Sequence, residues 1–241
     1  MTESIITSSW DDGDPLDLKL AELLAQYHVP ATFYLPIDNC QRPVLNASQI
    51  CRLARDFDIG AHTYHHVDLT RVSAERGRRE ILDGKLRLEE ITGQKVSAFC
   101  YPMGGYNRHV VEWVKEAGFA GARTIQINTR RALEPYKAGT LVNARNYSWT
   151  RQFRHSLAAR DPDLTLFYLK NNLCFKNWDQ IAIATLDFVA NKGGIWHLWG
   201  HSWEVDANRD WDKLREVFKR IESLPPRVLR LNNTQVMKVH D

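Results

Sequence analysis

Short apolar runs alternate with amphipathic stretches along the first half of the chain, and the boundaries between them are well punctuated. Ile5-Ile6 begins a strand that ends near Asp11. From Pro15 to about Tyr27, Leu16, Leu20, Leu23 and Leu24 recur at helical spacing, with Asp14 as N-cap and Pro15 at the first helical position. After Pro30, Ala31-Thr32-Phe33-Tyr34-Leu35 reads as a strand. Asn46 caps a helix carrying Ile50, Leu53 and Ala54, and Asp58-Ile59-Gly60-Ala61-His62 follows as a strand. Ser73 opens a long charged helix with Ile81, Leu82 and Leu88 that ends near Gly93, before the strand Val96 to Tyr101. Asn107 opens a helix with Val110, Val111 and Val114, closed by Gly118, and a strand from Phe119 to Ile125 comes next.

This β-α alternation predicts a parallel sheet with helices outside, open or closed as a barrel, with the chemistry at the C-terminal strand ends. Residues 126–176 mix polar and aromatic positions and read as loops and short elements near that end. Order returns with a helix near Trp178 to Asn191, the strand Gly194 to Trp199, a helix near Trp211 to Ile221 and a last strand around Val228 to Leu231. No internal repeat, low-complexity segment or linker interrupts the pattern, so one domain over residues 1–241 is expected.

Composition adds bounds. A chain of 241 residues with 44% hydrophobic residues and eight Trp builds a sizeable core. The net charge of +3, from 32 basic and 29 acidic residues, is scattered, which argues against nucleic acid as a partner. No apolar run approaches the roughly 18 residues of a membrane span, and MTESIITSSW lacks the features of a signal peptide, so a cytoplasmic location is expected. Cys40, Cys51, Cys100 and Cys174 show no CxxC spacing and read as mostly buried thiols.

The chemistry is concentrated at strand ends. Adjacent carboxylates at Asp11 and Asp12 repel each other and do little for a turn that Gly13 makes unaided, although such clusters also mark ordinary loops. At the end of the third predicted strand stands His62-Thr63-Tyr64-His65-His66. If the chain turns into a helix there, His62 and His66 share one face. A lone HxxxH is weak, since strand-end histidines are also found simply solvated or hydrogen-bonded. In an α/β fold, however, the Asp pair and the His pair converge, offering two imidazoles and a carboxylate to Zn²⁺ or a similar divalent ion, with the second Asp left as general base.

These motifs in this order resemble the polysaccharide deacetylases with a NodB homology domain, carbohydrate esterase family 4. Ser9-Trp10-Asp11-Asp12-Gly13 is similar to the family's Thr-Phe-Asp-Asp-Gly, and His62-Thr63-Tyr64-His65-His66 keeps its His-Ser/Thr-x-x-His. The likeness covers roughly residues 5–125 and 195–204. It implies a distorted (β/α)7-type barrel, Asp11 as base, and Asp12, His62 and His66 as ligands of one divalent ion, Zn²⁺ first, with Co²⁺ or Ni²⁺ as alternatives. The third motif, Arg-x-Pro-Tyr/Phe-Gly, corresponds to Cys100-Tyr101-Pro102-Met103-Gly104, so the arginine that holds the base in the family is absent. Arg123 or Arg145 is a candidate to replace it, and each reads equally well as a surface or helix-contact residue. The backbone N–H of Met103 matches the family's oxyanion donor. In Trp196-His197-Leu198-Trp199-Gly200-His201-Ser202-Trp203-Glu204, His201 is the preferred general acid, with His197 as fallback. Tyr101, Tyr106, Trp199 and Trp203, with Trp196 nearby, offer aromatic faces to a sugar, against core packing for at least half of them.

The resemblance implies a hydrolase that releases acetate from an N-acetylated sugar. With no signal peptide evident, the expected substrate is a precursor of a cell-surface glycan such as an O-antigen. Two alternatives stay open: an allantoinase-like hydrolase of cyclic amides or ureides, and an inactive carbohydrate-binding protein, the latter motivated by the missing arginine. The sugar, its carrier and the oligomeric state are not legible.

Overall fold

The structure, a computed structural model, describes residues 3–127, 134–146, 161–171 and 177–238. Its frame is a sheet of nine strands: β1 (Ser4–Asp11), β2 (Thr32–Leu35), β3 (Asp58–Ala61), β4 (Ala98–Cys100), β5 (Gly121–Ile127), β6 (Ala138–Thr140), β7 (Val142–Asn143), β8 (Gly194–Gly200) and β9 (Leu229–Arg230). The described pairings are all parallel, in the order β6-β5-β4-β3-β2-β1-β8-β7, with β9 beside β1. Only Leu141 separates β6 from β7, so a single segment leaves β5 and joins β8. Its Leu141 N–H donates to the His197 carbonyl (3.0 Å) and Ala144 N–H to that of Trp199 (2.8 Å), drawing the two ends of the sheet into a nearly closed barrel. Loops and short elements were expected in this region, and two of those elements are these strands, which at three and two residues are too short to display a period of two.

Helices clothe the barrel: α1 (Asp17–Gln26), α2 (Ala47–Leu53), α3 (Ala74–Thr92), α4 (Arg108–Glu116), α5 (Pro162–Asn171), α6 (Trp178–Lys192), α7 (Ser202–Ala207), α8 (Trp211–Glu222) and α9 (Asn233–Lys238). Their starts are written locally. Asn46 and Gln49 form a reciprocal capping box on α2, Ser73 accepts from Arg76 N–H on α3, and Asn107 accepts from Val110 N–H on α4. Gly93 closes α3 in the left-handed region, φ 67°. The predicted Asp14 cap is corrected: its carboxylate accepts from Leu16 N–H (2.9 Å) in a turn, and α1 begins at Asp17. On α3, Ile81 and Leu88 are buried as expected, whereas Leu82, one position off their stripe, is exposed.

β1 is buried from Ile5 to Asp11 because both of its edges are occupied. β8 covers one edge from Ser4 to Trp10, while β9 and then β2 share the other. Around it, Leu20, Phe33, Ile81, Phe99 and Phe218 are wholly buried, each such side chain contributing roughly 1.5–3 kcal/mol. The indoles of Trp178 and Trp196 are buried with their N–H groups donated to Asp210 (2.8 Å) and Thr185 (3.0 Å). Of the described cysteines only Cys100 is fully buried; Cys40 is exposed and Cys51 partly so, which corrects the expectation of mostly buried thiols, and Cys174 lies outside the described residues. Among the described residues, no helix is long and apolar enough to cross a membrane.

Candidate active site

The C-terminal ends of β1, β3 and β4 meet at one end of the barrel, and the backbone there is strained. Among the described residues, six other than glycine have positive φ, and four of these stand here: Asp12 (79°), Thr63 (63°), His66 (53°) and Met103 (55°). For a β-branched residue such as Thr63 this is a costly conformation, of the kind that persists where surrounding contacts over-determine it. The expected helical turn at His62–His66 is therefore corrected to a loop, whose left-handed residues fold the two imidazoles to 4.9 Å between ring centroids. α3 holds this loop: Tyr64 N–H donates to the Glu80 carbonyl (2.9 Å), and the buried Glu80 carboxylate takes His65 N–H (2.9 Å) and pairs with its ring (3.0 Å). Gly84 permits the approach, since a Cβ there would lie 2.8 Å from the Thr63 carbonyl carbon.

Asp12 Oδ1 faces both rings, 3.1 Å from His66 Nε2 and 3.7 Å from His62 Nε2. His62 Nδ1 meets the Cys100 carbonyl at 2.8 Å; a carbonyl only accepts, so Nδ1 carries the proton and Nε2 keeps its lone pair. Burial and the neighbouring His66 push the His62 pKa down to about 4, keeping the ring neutral. Burial pushes Asp12 up, but the hydrogen bond from His66 and the charge of His201 lead the effects that outweigh it and hold the carboxyl well below the usual range. An ionised carboxylate with a neutral imidazole is a donor set for a divalent cation. The three donor atoms lie within 4.8 Å of one another, and ligand bonds of about 2.0–2.2 Å would set tetrahedral neighbours roughly 3.3–3.5 Å apart. The residues fit such an ion. Asp11, His62 and Cys100 form a second close group, but burial keeps the Cys100 thiol protonated and Asp11 is committed elsewhere.

Asp11 is bonded by Arg123, and both side chains are buried. Cys100 and Arg123 are register partners across β4 and β5, so the guanidinium comes from the strand next to the one that carries it in the family motif. The Cys100 thiol also touches Asp11, at 3.8 Å. Arg145, the other candidate, pairs instead with Glu204. Glu204 in turn accepts from His201 Nδ1 (2.7 Å), leaving His201 Nε2 3.8 Å from Asp12 Oδ2. Burial lowers the His201 pKa, yet the Glu204 hydrogen bond and the charges of Asp11 and Asp12 raise it overall. His197 lies deeper, its ring between Ser9 Oγ (2.8 Å) and the Gly139 carbonyl (3.2 Å), with burial pushing its pKa down to about 3.

Met103 occupies a one-turn 3-10 segment after β4 with its side chain in solvent. The aromatic expectations divide. Tyr101 is wholly buried, its hydroxyl donated to the Tyr136 carbonyl (2.9 Å) and its ring stacked on Tyr106, so it is core rather than an open sugar platform. Trp196 and Trp199 are corrected likewise; Trp199 packs over the Arg123 guanidinium. Tyr106 and Trp203 keep partial exposure, and Trp203 donates its indole N–H to Asp12 Oδ2 (3.1 Å). Glu80 and Glu204 were not anticipated. Glu204 stands three residues after His201 at the start of a helix, a spacing at which side chains meet; Glu80 carries no local signal.

Comparison with known proteins agrees with the fold and with the family that the motifs resemble. Residues 1–122 match the family model described as polysaccharide deacetylase. Two peptidoglycan-N-acetylglucosamine deacetylases of Bacillus cereus are 36% identical over 120 residues and 27% identical over 117 residues, covering 48% and 47% of this chain. The aligned parts span about half the length of these relatives, 54% and 42%. The fold is similar to that of a presumed polysaccharide deacetylase from Mycobacterium smegmatis (TM-score 0.70, 17% identity, 99% of this chain and 91% of the other). It is also similar to the chitin deacetylase of Colletotrichum lindemuthianum (TM-score 0.58, 15% identity, 98% and 88%). With the barrel, the strand-end motifs and half of the chain in agreement, the protein belongs to the polysaccharide deacetylase family.

Proposed function

We propose that this chain hydrolyses the N-acetyl group of an amino sugar with the help of one divalent ion, Zn²⁺ first among the candidates, held by Asp12, His62 and His66. The observation that carries the reading is the convergence of both imidazoles on Asp12 beside an Asp11 held by a buried arginine. When bound, the ion supplies Lewis acidity, polarising the acetamide carbonyl and making water acidic enough to lose a proton near neutral pH. Asp11, oriented by Arg123, takes the proton of the attacking water. The backbone N–H of Met103 donates to the carbonyl oxygen as it gains charge. His201, oriented by Glu204, presents Nε2 to the departing nitrogen and protonates it. Acetate and a free amino sugar are the products.

The names of the Bacillus cereus relatives support an N-acetylated amino sugar as substrate. The narrower reading, a cytoplasmic precursor of an O-antigen or related surface glycan processed by a single catalytic domain, extends the sequence expectation. The Arg123–Asp11 pair removes the motive for an inactive binding protein. The test is acetate release from a panel of N-acetylated sugars by zinc-loaded protein. Release that falls at least a hundredfold in Asp11→Asn supports the reading. Opening of allantoin with no acetate from any sugar would overturn it in favour of a cyclic amide hydrolase.

A further inference from the structure

One cation beside the site has no role in this chemistry. Arg42 lies in the loop between β2 and α2, its guanidinium stacked on the Trp203 ring, 3.4 Å from the centroid. The edge of that ring donates to Asp12, so the guanidinium stands one indole away from the proposed ion ligand. The loop shares the frame of the site. Ile37 and Asp38 donate their N–H groups to the Tyr64 carbonyl (2.9 and 2.8 Å), and Leu45 N–H donates to that of Gly13 (2.8 Å). Asn39, buried, turns the intervening chain by accepting Gln41 N–H on its side chain (2.9 Å) and Arg42 N–H on its carbonyl (3.3 Å).

Stacking uses the flat face of a guanidinium and leaves its in-plane N–H donors for another partner. Among the described residues, no carboxylate lies within 4.0 Å of those donors and no acceptor takes them. The other two arginines at the site are already committed, Arg123 to Asp11 and Arg145 to Glu204.

We propose that Arg42 binds an anionic group, a phosphate or a carboxylate, carried on the same sugar residue as the acetamide, so that the site selects acidic over neutral N-acetyl sugars. An in-plane fork of donors suits either anion. The proposal rests on the deacetylase reading for its chemistry but not for binding.

The test compares neutral N-acetylglucosamine with N-acetylglucosamine 1-phosphate and N-acetylmuramic acid, by calorimetric binding and by acetate release, in zinc-loaded wild type, Arg42→Gln and Arg42→Lys. The expected result is at least tenfold tighter binding of one acidic sugar by wild type. That preference is lost in Arg42→Gln, retained in part in Arg42→Lys and weakened by added salt. Whichever acidic sugar is preferred identifies the anion as phosphate or carboxylate. Equal affinity for acidic and neutral sugars in wild type overturns the proposal. So does an Arg42→Gln variant that weakens all three alike, which would make Arg42 a prop for Trp203. Acetate release from every sugar without preference sinks Arg42 and keeps the deacetylase; an acidic preference without acetate release from any sugar does the reverse.

Discussion

Cys100 and Arg123 stand opposite each other on β4 and β5, and the guanidinium of Arg123 bonds the carboxylate of Asp11 while the Cys100 thiol leaves it room. A charge partner has moved by one strand without leaving its register position. Both ions are buried, and removing one partner of such a pair costs about 3–5 kcal/mol. Arg123→Ala is expected to lose stability of that order in urea unfolding and to lower acetate release about a hundredfold. Arg123→Lys, which keeps the charge but not the planar fork, should fall between. Wild-type stability in Arg123→Ala would contradict the pairing.

Gly84→Ala tests the support beneath the histidines. Inside a helix this exchange ordinarily stabilises by about 0.8–1.0 kcal/mol. Here the new methyl would press on the Thr63 carbonyl, so the expected outcome has the opposite sign: lower stability and weaker zinc uptake through displacement of the His62–His66 loop. Zinc titration followed by thermal melting measures both, and a more stable protein with unchanged zinc affinity would refute the contact.

Glu204→Gln keeps an oxygen that can accept from His201 Nδ1 but removes the negative charge that helps raise the ring's pKa. An acid catalyst with a lower pKa loses its proton at lower pH. The alkaline limb of the rate profile should therefore shift downward, with kcat reduced about tenfold to a hundredfold. A profile that superposes on wild type would remove Glu204 from the account.

His197 predicts a pH dependence of stability. Its pKa is about 3 in the fold against 6.5 for an ordinary histidine. As pH falls below 6.5 the unfolded chain takes up a proton that the fold refuses, so stability is lost toward pH 3, at up to about 1.4 kcal/mol per pH unit. Asp17, whose carboxyl burial raises, acts in the opposite sense but is common to both proteins compared. Urea unfolding at pH 7 and pH 5 should show His197→Gln losing roughly 2 kcal/mol less than wild type over this interval. Parallel losses would contradict the buried neutral ring.

What was legible in the sequence was local. Asn46, Ser73 and Asn107 announce helix starts, and Gly93 an end, because cap bonds run between residues three or four apart. The Asp11-Asp12 and His62–His66 motifs were legible because each lies in one short segment. Partners from distant segments were not. Arg123 was one of two candidates until strand register distinguished it from Arg145, and Glu80 reaches the histidine loop from a helix 15 residues away. Tyr101 and Trp199 look like sugar platforms in sequence because nothing local tells a buried aromatic from an exposed one. The barrel seam at Leu141 depends on pairing with β8 more than 50 residues later.

The claim on which the mechanism stands is that Asp12, His62 and His66 hold one divalent ion. Elemental analysis of protein purified without added metal or chelator, beside His62→Ala, addresses it most directly. The account predicts close to one zinc, cobalt or nickel per chain in wild type and a loss of most of it in the variant. Wild type that arrives metal-free and takes up none of the three on reconstitution, or a variant that keeps its full complement, would contradict it.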